Sequence, residues 1–378
     1  MKITYFTHSL LSCWNHGNAH FLRGVLRELI AKGHEVRAVE PAGNWSLTNL
    51  LADAGEAGLA AFHDHYPDLA PETYDPAEPV DALVDGADLV IVHEWNDPAL
   101  VAEVGRLRAR GAAWTLLFHD THHRAVSAPH EMQAFDLSAY DGILAFGENL
   151  SEVYRGWGWR NVWTWHEAAD TRHFFPPRNG EGDQPQAGGG GVPPRTGLVW
   201  IGNWGEGERT AELESYLFRP AQEAALPLDI YGVRYPPEAL ALLDRYGVNY
   251  RGWLPNARAP EVFARHLATV HVPRRFYAET LPGIPTIRVF EALACGIPLL
   301  SAPWDDSEDL FRVGEDFLMV RDGAAMTTAL RDIARDPQLR AALVASGLAT
   351  IRARHTCAHR ADELLAVAAT LRQPEPVS

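Results

Sequence analysis

Short apolar runs alternate with helical patterns twice along the chain, and this alternation restricts the fold more than any other feature. In the first half KITYFTH is followed by the helical AHFLRGVLRELIAKG, then by EVRAVEP, DLVIVHE, the helical ALVAEVGRLRARG, WTLLFHD and GILAFG. The alternation restarts with GLVWIGNW and runs through LPLDIYGV, VNYRGWLP, TVHVPRR, the helical IRVFEALACG, IPLLSAP and DFLMVRD. Successive strand–helix–strand units close parallel pairs, so each series predicts a doubly wound sheet. Open parallel sheets bind ligands at the carboxyl ends of their strands. The expected fold class is therefore α/β, with two doubly wound Rossmann-like domains facing a central cleft.

The two series are separated by NGEGDQPQAGGGGVPPRTG, whose four consecutive glycines, Gly188 to Gly191, give the composition of a flexible linker. The expected organisation is an acceptor-side domain over 1–177, a linker over 178–197, a second domain over 198–354, and a carboxyl-terminal helix with tail over 355–378, long enough to pack back on the first domain. A chain of 378 residues, 47% apolar and 22% charged, has the material for two cores. Cys13, Cys295 and Cys357 are isolated and odd in number, which excludes a disulfide framework and fits a reducing cytoplasm. No apolar run approaches the roughly 20 residues that cross a bilayer, and the amino terminus reads as a buried strand. A net charge of -16 repels phosphate backbones and argues against a broad nucleic-acid interface.

The most informative segment is PTIRVFEALACGIPLLSAP, 285–303, read as a helix from near Ile284 to Gly296 followed by a buried strand. Arg288 and Glu291 share one face of that helix. Two readings fit: a carboxylate that accepts two ribose hydroxyls beside a phosphate at the helix amino terminus, or a structural ion pair. In GLVWIGNWGEGERTAEL a strand leads through a loop containing Gly202 and Asn203 into a helix from about Arg209, an arrangement that offers backbone N–H groups and a guanidinium to a diphosphate. Arg274 or Arg275 offers a second positive charge, or forms a solvated pair at a strand end.

In the first half, Gly17 and Asn18 open a helix after the first strand, where glycine permits close approach and Asn18 is equally a helix cap. LLFHDTHHR places His119 and Asp120 at a strand end, the position of functional groups in such sheets, with core burial as the alternative. His119, Asp120, His122 and His123 could also be read as a metal cluster, but no second cluster supports it. His93 and Glu94 end another strand, on the acceptor side. The acidic DDSED, 305–309, is read as the cap of a helix beginning near Ser307 rather than as a metal motif. Trp14, Trp45, Trp95, Trp204 and Trp253 lie near loops, where an indole stacks on a sugar or base or packs in a core.

The 285–303 segment, with the carboxyl-terminal HTCAHRADELL, resembles the nucleotide-sugar signature of GT-B glycosyltransferases of the family 4 type, and more closely the CgeB/YkvP-like branch. The resemblance implies sugar transfer from a nucleotide-sugar substrate to an unidentified acceptor, with retention of configuration, no metal and no separate cofactor. It implies that Thr286, Arg288 and Glu291 hold the donor, with Glu291 on the ribose. Arg209 is implied on the diphosphate, His119 against the donor sugar with Asp120 orienting it, and the Tyr231–Gly232 and Trp253–Leu254 loops at the base. The family's second glutamate would fall at position 283, which is glycine here; Glu279 is the nearest upstream carboxylate. The lysine that often accompanies the arginine at 209 is absent. A sugar-nucleotide epimerase and a non-catalytic nucleotide- or carbohydrate-binding protein are the rival readings.

Overall fold

Seven parallel strands form the first sheet: β1 (Lys2–Phe6), β2 (Glu35–Pro41), β3 (Glu72–Tyr74), β4 (Leu89–His93), β5 (Thr115–Asp120), β6 (Gly142–Ala145) and β7 (Val162–Thr164), in the order β3-β2-β1-β4-β5-β6-β7. The computed structural model describes residues 1–176, 195–205 and 207–372, and most of the expected linker lies outside them. Every residue of β4 and β5 is buried, as helices on both faces of a parallel sheet require. The chain runs outward from β1 through β2 to β3, then returns to β4 on the other side of β1. The loops after β1 and β4 therefore diverge at a topological switch point.

The second sheet repeats the plan with β8 (Leu198–Ile201), β9 (Leu228–Tyr231), β10 (Asn249–Tyr250), β11 (Ala268–His271), β12 (Leu299–Ser301) and β13 (Leu318–Met319), in the order β10-β9-β8-β11-β12-β13 and parallel throughout. Its switch point lies between β8 and β11. Trp200, Phe218, Ile230, Val270, Met326 and Leu330 share the core on one side of it.

The chain divides into one unit made of Met1–Glu167 and everything from Cys357 onward, and a second made of Ala168–Thr356. Residues 168–176 thus belong with the second unit. The helix Cys357–Arg372 packs along the helix Ala19–Ala31 of the first unit. Lys32 pairs with Asp362 at 2.7 Å, and the buried Trp165 donates its indole N–H to the carbonyl of Arg360 at 2.9 Å. Among the described residues, no helix is long and apolar enough to cross a membrane.

Three local expectations are corrected. The helix expected from Ile284 begins at Ile287, because Pro285 disfavours helical backbone at the residue before it. It ends as expected, with Gly296 in the left-handed region at φ 65°. The helix expected from Arg209 to Ala225 is interrupted: Thr210–Leu213 and Arg219–Glu223 are α-helical, and Glu214–Phe218 between them is a π-turn. Pro220 has no N–H for the Tyr216 carbonyl and its ring crowds that carbonyl, so the ladder widens there. No helix begins near Ser307; the Asp306 carboxylate instead accepts from the amides of Leu310 and Phe311, at 3.1 and 2.8 Å, and closes a turn.

Trp165 is the side chain that joins the sheet of the first unit to its carboxyl-terminal helix. Replacing Trp165 with alanine is expected to remove about 3–5 kcal/mol of stability, measured as the shift in the urea unfolding curve.

Candidate functional site

In the second unit the polar groups collect where β8, β9, β11 and β12 end. Arg209 stands at the amino-terminal cap position of Thr210–Leu213. Its guanidinium donates to the carbonyls of Asn203 at 2.7 Å and Val272 at 3.2 Å, and its carbon lies 5.0 Å from the centre of the Trp200 ring. Gly205, at φ 88°, leaves room for it: a Cβ there would sit 2.9 Å from the Arg209 side chain. Burial first, and then the positive charge of Arg274, push the Arg209 pKa down to about 9, so it stays protonated at neutral pH.

Glu291 is 0% exposed and accepts from Arg288 and from the Asn256 amide, the latter at 2.7 Å. The Arg288–Glu291 ion pair is therefore formed, with Asn256 as a third partner. Burial raises the Glu291 pKa, against the opposing pull of Arg288 and Asn256. His271, at the end of β11, binds the Ser301 hydroxyl through Nδ1 at 2.9 Å. Burial, with the charges of Arg209 and Arg288, brings its pKa down to about 3, so it is neutral. Trp304 meets the His271 ring edge-on at 6.1 Å. Arg274 pairs with Glu208 at 2.6 Å and Arg275 with Glu212 at 3.1 Å. Of these two arginines it is Arg274 whose charge acts on Arg209, with Arg288 adding to it and Glu208 opposing it.

The expected base-side residues form one packed edge. Tyr231 ends β9 and its carbonyl accepts from Gly202 at 2.8 Å; Gly232 donates to Gly252 at 2.8 Å; the Asn203 side chain accepts from Val233 at 3.0 Å. A Cβ at Gly232 would collide with the Gly202 carbonyl, so glycine is obligatory there. Trp253 and Leu254 follow Gly252 and are half-buried. Thr286 stands at the amino-terminal cap of Ile287–Ala294 and makes no side-chain cap bond. A glutamate at position 283 would be strained: Gly283 has φ 87°, and a Cβ would lie 2.8–2.9 Å from Ser307 Oγ and the Glu308 side chain. Glu308, from the turn read as a cap, fills that space, while Glu279 is exposed at the end of the helix Arg275–Glu279.

In the first unit the hub is Thr121, which the sequence did not single out. Its hydroxyl donates to Glu94 at 3.3 Å and meets His93 Nε2 at 3.0 Å and the Asn18 amide. The His93 Nδ1 accepts from the Trp95 amide, so Nε2 carries the proton that Thr121 accepts. Asn18 makes no side-chain cap bond; its amide is spent on Thr121, which fixes Gly17 and Asn18 beside the ends of β4 and β5.

His119 and Asp120 point to opposite faces of the sheet, as neighbours on a strand must. His119 is 0% exposed, bonded through Nδ1 to the Tyr5 hydroxyl at 2.5 Å and enclosed by Phe21, His93 and Trp165. Asp120 accepts from the Tyr154 hydroxyl at 2.6 Å and the His122 amide at 3.0 Å. The metal reading of His119, Asp120, His122 and His123 is not supported, because among the described residues no group of three or more such side chains could hold a metal ion. Burial raises the pKa of both Glu94 and Asp120, and Arg124, paired with Glu94 and lying 4.3 Å over Trp95, opposes this.

Sequence reading missed Thr121, Asn256, His271, Trp304 and Glu308. For His271 and Thr121 the signal was present, a polar residue at or just past the end of an apolar strand. For Asn256, Trp304 and Glu308 it was not, because each lies in a loop remote in sequence from its partners.

Residues 209–366 match a family model described as glycosyl transferase-like. No curated protein sequence matches the chain. Solved structures similar to it over nearly its whole length include an alpha-glucosyltransferase in complex with UDP and a 13-mer DNA containing a HMU base, at 12% identity and TM-score 0.67, covering 98% of this chain and 99% of that one. The T4 phage enzyme BGT in complex with UDP-glucose is similar at 12% identity and TM-score 0.55, with 98% and 97% covered. Sucrose-phosphate synthase from Thermosynechococcus elongatus is similar at 14% identity and TM-score 0.63, with 98% and 99% covered. These likenesses show the GT-B fold. The glycosyl transferase-like match spans the second half of the chain, from Arg209 onward, and adds to the fold a likeness in sequence.

Two predictions follow from the geometry. Gly283→Ala is expected to lower stability by about 1–3 kcal/mol through left-handed backbone strain and contact with Glu308, seen as a lower thermal midpoint. His8, His16 and His119 have folded pKa values pushed down by burial to about 4, 3 and 3. Unfolded histidine titrates near 6.5, so their contribution is fully present above about pH 6.5 and is lost as pH falls toward the folded values, by up to about 1.4 kcal/mol per pH unit each. Glu40, Glu94, Asp120, Glu291 and Asp306, all raised first by burial, act in the opposite direction, while His93 and His271, lowered by burial, add to the histidine side. Urea unfolding is expected to show falling stability from about pH 7 to about pH 5, with a shallower fall in His8→Gln.

Proposed function

We propose that the chain transfers a hexosyl group from a uridine diphosphate sugar to an acceptor hydroxyl, with retention of configuration and without a metal ion. The observation that carries this reading is a set of buried nitrogen atoms in the second unit that have no acceptor: Nε of Arg209, Nε of Arg288, and the indole nitrogens of Trp253 and Trp304. Buried donors without partners are rare in folded proteins. A diphosphate and sugar hydroxyls carry the acceptors they lack.

Arg209 and Arg288, with Arg274 near the first, would neutralise the diphosphate as it leaves, aided by the free N–H groups that open the helix Ile287–Ala294. That is the electrostatic work a divalent ion would otherwise perform. Glu291, held by Arg288 and Asn256, takes the ribose hydroxyls, and the edge formed by Gly202, Asn203, Tyr231, Gly232, Trp253 and Leu254 faces the base. His119 and Asp120 are positioning residues in this reading: they lie beneath the loop ends that carry His93 and Thr121 and act through them, as Gly17 and Asn18 do from the opposite side. Retention and membership of the CgeB-like branch rest on the sequence resemblance. Uridine is favoured by the structural neighbours described with UDP or UDP-glucose. The glycosyl transferase-like match favours transfer over the epimerase and binding-only readings. The net charge of -16 gives no support to DNA as the acceptor, although one neighbour is described with DNA.

Thermal unfolding with UDP and UDP-glucose in the presence of a chelator tests the donor site. Ligand that binds the folded state alone raises the midpoint. The native chain is expected to be stabilised, with most of the effect lost in Arg209→Ala and in Glu291→Gln. Absence of stabilisation by any nucleoside diphosphate would remove the basis of the proposal.

A further inference from the structure

The loop after β1 and the start of the helix Trp45–His65, which follows β2, build an aromatic platform beside the switch point of the first sheet. Trp45 opens that helix and is 40% exposed. Trp14 meets it edge-on at 6.2 Å, and His8 lies against it at 5.0 Å with the rings 31° apart. His16 packs edge-on against His8 at 5.7 Å.

The platform is held from beneath. The buried Glu40 accepts from the amides of Leu10 and Leu11, at 2.5 and 3.1 Å, and from Asn44 at 3.3 Å; Asn44 in turn caps the Trp45 helix. Arg23 donates to the Leu10 carbonyl at 2.8 Å. Ser12 donates to the Ser46 carbonyl and Ser46 to the Trp14 carbonyl, both at 2.8 Å, and the Trp14 indole donates to Asp53 at 2.5 Å. The Trp14 indole and the backbone that carries Trp45 are thus held before any ligand arrives, which lowers the ordering cost of binding.

Charge decides what it can bind. Segments 7–18 and 44–62 contain no lysine or arginine, and Asp53 and Glu56 are exposed on the second. Arg23 is buried and engaged with Leu10. His8 and His16 are neutral at physiological pH, and the Nε2 of each lacks a partner. A phosphate-bearing ligand would meet acidic groups and no available cation. A pyranose offers weakly positive C–H faces to the electron-rich indole, and uncharged hydroxyls to its surroundings.

We propose that Trp45 and Trp14 form the acceptor platform and that the acceptor is an uncharged carbohydrate whose ring stacks on Trp45. Its role as acceptor rests on the transferase reading; the stacking itself does not. The test uses the full chain with UDP and chelator, titrated with a panel of neutral mono-, di- and trisaccharides and, in parallel, with duplex DNA, followed by calorimetry and tryptophan fluorescence. The expected result is saturable binding of at least one neutral saccharide, weakened at least about tenfold in Trp45→Ala and less in Trp45→Phe, with the thermal midpoint and the stabilisation by UDP unchanged in both. Absence of saccharide binding, equal binding by Trp45→Ala, or binding of DNA alone would overturn it. Loss of the UDP effect with saccharide binding intact would strike the donor assignment and leave the platform standing.

Discussion

A parallel sheet covered on both faces leaves one kind of place for a functional polar group, and both candidate sites obey that restriction. Along β4 and β5 each backbone amide is used in the ladder and each side chain is buried, so an unpartnered charge in mid-strand would be expelled or would unfold the sheet. Polar side chains accordingly appear at the last position of the central strands: His93, His119 with Asp120, and, in the second sheet, His271 and Ser301. The strand order then decides which ends gather. In both sheets the chain reverses direction beside its first strand, and the loops that part there expose the ground between them.

The two sheets use this ground with opposite electrostatics. In the second unit the guanidinium groups of Arg209 and Arg288 are drawn into a setting that depresses Arg209 and keeps His271 neutral, and the buried carboxylate Glu291 is bound to Arg288. That imbalance favours an anion. In the first unit burial raises the carboxyls of Glu94 and Asp120, the Asp120 charge raises Glu94 further, Arg124 offsets part of that cost, and four imidazoles, His8, His16, His93 and His119, pass contact from ring to ring in their neutral form. Such a surface suits hydroxyls better than phosphates. Two otherwise similar sheets thus carry opposite electrostatics, which is what the proposed charged donor and hydroxyl-bearing acceptor require.

Much of the architecture was legible in the residues. The alternation of apolar runs and helical patterns placed the main strands of both sheets, and the turn at Gly296 fell where glycine is required. Less of the site could be read. A strand period of two says that His119 and Asp120 face opposite ways, but not which of them meets the core. The spacing of Arg288 and Glu291 announced a pair, yet Asn256 joins them from a loop that no local pattern connects to that helix. Gly283 looked like a lost glutamate; the fold makes it a left-handed residue beside Glu308, so the space had already been taken from elsewhere in the chain.

By itself, then, the sequence determined the elements, their parallel class and the chemical types available at strand ends, because these depend on periodicity, propensity and the conformational limits of glycine and proline. Only the tertiary structure decided that Asn18 serves Thr121 rather than its own helix, that Thr121 joins three loops, and that Arg274 rather than Arg275 brings its charge to Arg209. Those contacts span long stretches of chain, and they are set by how whole helices and sheets pack, which local sequence does not encode.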